Sequence, residues 1–225
     1  MSRPSAPATS ATFAYVAPFL AFVGIMALDR VLPVPVQWLY FARFVIVLAL
    51  ILVFSRPYLS LRPSSAASVV IGLAVFVIWI APDLLFGYRN SFIFNNALTG
   101  AAKSSLPPAL VHNSAFLVLR CVTSFALVPV LEELFWRGFL MRWLIRTDFV
   151  KVPLGTYAAS SFWIVALLFA SEHGPYWEVG LLAGIAYNWW IVRTRNLADC
   201  ILAHAVTNAA LAAWVLYTGE WQYWM

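Results

Sequence analysis

Six side chains suited to acid–base or hydrogen-bond chemistry fall where the chain is otherwise apolar: Glu132, Glu133, Arg137, His173, His204 and Asn208. An ionisable group inside a membrane-spanning run costs roughly 3 kcal/mol, so each invites a functional explanation. Neighbours on a helix point about 100° apart, so Glu132 and Glu133 face different ways. Glu133 and Arg137 stand at i and i+4, acid before base, the order that favours an ion pair. Glu132 is left without a local cation, and a desolvated carboxyl of that kind can exchange protons with water near neutral pH. Glu133 and Arg137 therefore read as a strut and Glu132 as the working group. A helix-end salt-bridge cluster at a membrane surface is the alternative.

His173 follows Glu172 at the end of another apolar run. A single histidine there also suits a plain interfacial role. His204 and Asn208, again i and i+4, share a face within the last apolar run. Both can donate to a developing oxyanion, asparagine without titrating; both can equally serve as interhelical glue. Acids, histidines and an amide on three separate runs relieve one another only by converging. Convergence makes a polar, water-holding cavity, and a base that activates water beside oxyanion donors is the equipment of hydrolysis at a carbonyl.

The elements that must position these residues are written in the composition. Of 225 residues, 63% are hydrophobic and only 10% are charged, against roughly 25% charged in soluble domains; mean hydropathy is +0.85. A soluble domain, a disordered chain, collagen and a coiled coil are excluded. The apolar runs are continuous rather than alternating, which disfavours a transmembrane barrel. The fold class is all-α, a polytopic membrane bundle forming one domain over residues 1–225.

Candidate spans are 13–28, 36–54, 66–86, 109–145, 153–173, 177–192 and 197–217. The fourth would run ~55 Å as one helix, too long for a ~30 Å hydrocarbon core. Pro129 is the expected break, giving seven to eight helices. Residues 90–108 read as a re-entrant or surface connection. The Ser/Ala/Pro/Thr-rich stretch 1–12 reads as a flexible N-terminus. The run after it, bounded by Asp29 and Arg30, lacks a cleavage-site pattern and reads as a retained anchor.

The net charge of +5 comes from basic residues scattered singly between apolar runs, which points to topology and lipid headgroups and away from nucleic acid. Arg56 and Arg62, then Arg142, Arg146 and Lys151, then Arg193 and Arg195 fall in alternate loops. With cytoplasmic loops positive, the N-terminus is cytoplasmic. His173 then approaches the outer face while Arg142 and Arg146 hold the first-motif helix inside. The motifs meet only near mid-membrane, or through a kink or a late helix start. A shared site requires Glu132 within ~10 Å of His173 and His204. Arg43 and Arg120 read as structural pairing or snorkelling, and Cys121 and Cys200 as small buried side chains.

Taken in order on successive helices, Glu132-Glu133-x-x-x-Arg137, Phe169-x-x-x-His173 and His204-x-x-x-Asn208 resemble the three signatures of the CPBP family of CAAX prenyl proteases and bacteriocin-processing enzymes, glutamate-type intramembrane endopeptidases. The resemblance covers about residues 119–211, the motif-bearing core. Residues 193–204 further resemble a bacterial subgroup associated with exosortase/PEP-CTERM sorting. The resemblance implies Glu132 as general base assisted by His173, Glu133 and Arg137 as organisers, and His204 and Asn208 as oxyanion stabilisers. It implies a peptide substrate that is membrane-associated or cut near its C-terminus, the bilayer as a partner, and a bacterial inner membrane as the location.

Cofactors are expected to be none. Zinc is the alternative, with Glu132, His173 and His204 as ligands, but no HExxH is present and asparagine is a poor zinc ligand. Three rival classes remain. Cys200 with His204 and Arg195 could form a thiol protease. Buried acids and histidines could relay protons in a transporter. The chain could also be a non-catalytic scaffold or immunity-type protein.

Overall fold

In lipid an apolar segment must satisfy its backbone hydrogen bonds within itself, and the helix does so for every residue it contains. The computed structural model describes residues 8–28, 31–94, 96–97, 100, 102–104 and 106–224. Seven principal helices follow in order: α1 (Ala8–Leu28), α2 (Val36–Tyr58), α3 (Ala67–Phe86), α4 (Ser114–Trp143), α5 (Ala159–Ser171), α6 (Trp177–Thr194) and α7 (Leu197–Thr218). Five of them, α1 from Ser10, α2, α3, α4 and α7, are long and apolar enough to cross a membrane. The 13 residues of α5 fall short of a crossing, and α6 carries Glu178, Asn188 and Arg193 among its apolar residues. Length and composition thus support five crossings where seven to eight were expected.

The expected break at Pro129 does not form. Helix α4 runs unbroken for 30 residues and absorbs the proline through a wide π-turn over Thr123–Leu127, which re-spaces the hydrogen-bond ladder just before the missing N–H. A second π segment, Leu134–Leu140, follows Glu133. Helix α1 already includes residues 8–12, since nothing after Pro7 interrupts helix until it is established. Residues 1–7 and the Asp29–Arg30 pair lie outside the described residues. The connection after α3 holds short 3-10 turns at Tyr88–Asn90 and Pro108–Leu110, and it packs inward through Leu106 and Leu110.

Four contacts bring the motif helices together. Phe19 of α1 stacks on Phe135 of α4 at 4.2 Å between ring centroids. Gly184 of α6 lets the backbone of Ala166 and the ring of Phe169 on α5 approach closely. Asn208 of α7 donates to the Ser124 carbonyl of α4 at 2.8 Å. On the other side of α7, the Thr207 hydroxyl donates to the Gly72 carbonyl of α3 at 2.8 Å.

The charges expected to be structural are so. The Arg43 guanidinium lies over Phe22 and Tyr40, and Arg120 donates to the Trp224 carbonyl. Arg142, read above as a loop charge, is buried and donates to the Gly138 and Val152 carbonyls. Beyond α3, Arg89 is paired with Asp83 at 3.3 Å and Glu178 at 2.6 Å and donates to the Pro175 carbonyl at 3.0 Å. Burial pushes the neighbouring Tyr88 phenol up to about 12, so it stays a donor to Glu178 at ordinary pH. This cluster ties the turn after His173 to the end of α3.

Gly72 is the tightest point of the α3–α7 contact, because a Cβ there would overlap the Ala203 carbonyl and the Val206 side chain. Backbone cannot move aside as a flexible side chain does. Gly72→Ala is therefore expected to destabilise the bundle by about 1–3 kcal/mol, read as a lower melting temperature of the detergent-solubilised protein. An unchanged melting temperature would show that α3 and α7 can separate there at little cost.

Candidate active site

The i, i+4 spacing on α4 does what it predicts locally: Arg137 Nη1 donates to Glu133 Oε1 at 2.9 Å, with both side chains fully buried. A buried pair is costly unless its remaining donors are satisfied. Here they are. Arg137 Nε donates to Asn188 Oδ1 at 2.9 Å, and Nη2 donates to the Gly184 carbonyl at 3.3 Å, both on α6. The guanidinium lies over Phe169 at 4.6 Å and Tyr187 at 5.4 Å. Asn188 in turn donates to the Phe162 carbonyl on α5 at 2.8 Å. One guanidinium therefore holds α4, α5 and α6 in register.

Glu133 Oε1 also meets His204 Nδ1 of α7 at 3.0 Å. A carboxylate only accepts, so Nδ1 carries the hydrogen and Nε2 of the neutral ring presents a lone pair. Tyr187 stacks on the His204 ring at 5.1 Å and 20°, and its hydroxyl donates to Thr207 at 2.7 Å. Ring plane and tautomer of His204 are thus both set from outside. Its Nε2 lies 4.0 Å from Glu132 Oε2. That Glu132 oxygen is buried and has no hydrogen-bond partner among the described residues. The two glutamates accordingly stand in different states: Glu133 is neutralised by Arg137 and bonded to His204, whereas Glu132 faces His204 across a gap.

His173 lies one residue past the C-cap of α5. Its Nδ1 meets the Phe169 carbonyl at 2.7 Å, which leaves Nε2 as the acceptor in the neutral ring. Phe169 is the common neighbour of the site: His173 is 4.7 Å from its ring and His204 6.2 Å. The C-terminal end of α5 reaches the first motif through Phe169, which packs on both His173 and the Arg137 guanidinium. Asn208 shares the His204 face of α7 but turns one amide hydrogen to Ser124. Its second amide hydrogen remains for another acceptor.

Several contributors were not anticipated. Asn188 and Tyr187 complete the Arg137 and His204 contacts, and Trp136 Nε1 donates to Glu172 at 3.1 Å. The signal for Asn188 was present, since it is a lone amide in the apolar run 177–192. Cys200 is fully buried, with its sulfur 3.5 Å from the Tyr187 carbonyl, and takes no part in the glutamate–histidine contacts. Among the described residues no group of three or more His, Cys, Asp or Glu side chains is arranged to hold a metal ion.

The Arg137 contacts make a stability prediction. Removing one partner of a buried pair leaves the other charge uncompensated, at about 3–5 kcal/mol. Arg137→Met should destabilise by that order in chemical denaturation. The double change Glu133→Leu with Arg137→Met should cost clearly less than the two single changes added together. Strict additivity would mean that the pair is not coupled.

Residues 113–210 match the family model described as Type II CAAX prenyl endopeptidase Rce1-like. No curated protein and no solved structure matches the chain. The matched segment runs from the N-cap of α4 into α7 and includes all six candidate residues together with Tyr187 and Asn188. Over that segment, a little under half of the chain, the protein is similar to the Rce1-like CAAX protease family.

Proposed function

We propose that this integral membrane protein is an endopeptidase of the glutamate type, hydrolysing a peptide bond near the C-terminus or within a membrane-associated segment of its substrate. The observation that carries the reading is the pairing of unlike glutamates. Glu133 is ion-paired and bonded to His204, while Glu132 presents a buried oxygen with no hydrogen-bond partner among the described residues, 4.0 Å from His204 Nε2.

In this mechanism Glu132 takes a proton from water as the water oxygen attacks the scissile carbonyl carbon. His173 Nε2 accepts the second water hydrogen and orients the nucleophile. The carbonyl π electrons move to oxygen. That oxyanion is met by the free amide hydrogen of Asn208 and by His204 entering and leaving the cycle as the imidazolium, its Nε2 proton taken from bulk water before attack and its charge balanced by Glu133 against Nδ1. Collapse of the intermediate re-forms the carbonyl and expels the amine, which takes the proton from Glu132. The family description brings prenylated C-terminal peptides into the substrate class.

Glu132→Gln keeps the shape and deletes the base. It should lower turnover by at least ~10²-fold while leaving the fold intact. A C-terminal proteomic comparison of strains carrying wild-type protein and Glu132→Gln reads this directly and names the substrate, whose uncut form accumulates in the variant. A chain that keeps its cellular role with Glu132→Gln is a scaffold or a transporter instead.

We also propose that the protein resides in the bacterial inner membrane with its N-terminus cytoplasmic, because Arg56 in the last turn of α2 and Arg62 in the connection to α3 are both exposed. A cysteine placed at Pro63 in a cysteine-free background should resist a membrane-impermeant maleimide in intact cells and react after lysis. Labelling in intact cells would reverse the orientation.

A further inference from the structure

We infer that the indole N–H of Trp79 donates a hydrogen bond to the substrate carbonyl at this site, making Trp79 a substrate-contacting residue; the inference rests on the endopeptidase reading above. Trp79 lies on α3, outside the segment that matches the family. It stands seven residues past Gly72, on the stripe that also carries buried Val75 and faces α7. Its ring is 5.3 Å from His173 at 68° and is stacked on Tyr176 at 6.2 Å and 16°. The two neighbours fix the indole plane beside a histidine of the site.

The Trp79 Nε1 atom is buried and has no hydrogen-bond partner among the described residues. A buried N–H left unpaired costs about 1–3 kcal/mol, and such groups are rare in native structures. The contrast within the molecule is direct. Trp136 donates to Glu172, Trp190 to Ser68 and Trp214 to Glu220, at 2.9–3.1 Å. Trp79 is held between two rings but donates to no acceptor among the described residues.

The other donors near the reaction centre are largely committed. His204 Nδ1 is used by Glu133, His173 Nδ1 by the Phe169 carbonyl, and one Asn208 amide hydrogen by Ser124. An indole N–H donates only and does not titrate. It therefore suits an acceptor that arrives with the substrate, and a peptide carbonyl oxygen is that acceptor. A donor already fixed in place needs no reorganisation as charge develops on the oxygen.

The test uses the full-length purified protein and a quenched fluorescent peptide spanning the cleavage site found in the proteomic comparison. Trp79→Phe keeps an aromatic ring and deletes the N–H. Replacing Trp79 with 3-benzothienylalanine keeps the bicyclic shape as well. Both should lower kcat by ~10²-fold with melting temperature unchanged or raised, because an unsatisfied donor has been removed. A purely structural tryptophan predicts the reverse, lost stability with normal turnover per folded molecule. Wild-type kcat and KM in the benzothienylalanine protein would overturn the inference, leaving the indole N–H to water alone. In that case Glu132→Gln would still be inactive and the endopeptidase reading would stand. Cleavage retained by Glu132→Gln, or no cleavage site found at all, overturns the endopeptidase reading and this inference with it.

Discussion

A guanidinium buried in a membrane bundle is tolerable only when each of its nitrogens is answered. Arg137 meets that demand by drawing on three helices: Glu133 of its own helix, Asn188 and the Gly184 carbonyl of α6, and the Phe169 ring of α5. The rest of the site hangs from this arrangement. Gly184 is small so that α6 can approach α5 and bring its carbonyl within reach. Asn188 is anchored to the Phe162 carbonyl, so its oxygen is aimed before Arg137 arrives. Glu133, neutralised by Arg137, can then set the tautomer of His204. Geometry passes from one hydrogen-bonded group to the next and reaches Glu132 only across the 4.0 Å gap from His204.

This also explains why the two adjacent acids are not interchangeable. They are chain neighbours in the same helix, yet one points to α6 and α7 and finds a cation and an imidazole, while the other finds only the far edge of that imidazole. Their difference comes from the 100° between successive side chains, converted by packing into a difference of chemical state. His204 sits between them with a nitrogen toward each, and so couples the fixed acid to the working one.

The local part of this site was legible in the residues themselves. Glu133 and Arg137 pair at the spacing their order predicts, and His204 with Asn208 lies on one face of α7. What escaped was tertiary. The partners of Arg137 on α6 are an asparagine and a backbone carbonyl, and no spacing rule within one helix points to them. Trp79 reads as one more aromatic in an apolar run until its unanswered N–H is seen. Pro129 misled for a related reason. A proline predicts a break only when the ladder keeps α-helical spacing, and the preceding turn does not keep it. The charge pattern was read too literally at Arg142, where backbone carbonyls claim a residue that loop position alone would leave to the headgroups.

The wide turns of α4 bear on which parts of that helix address α7. The Ser124 carbonyl and the Glu133 carboxylate both touch α7, although they are nine positions apart. On an ideal α-helix nine positions is about half a revolution out of phase. A π-turn carries a surplus residue and so slips the phase of everything beyond it. Helix α4 is in effect a splice of successive registers, each trimmed to the neighbour it meets. Periodicity measured along it as one uniform cylinder would assign Ser124 and Glu133 to opposite sides, when both lie against α7.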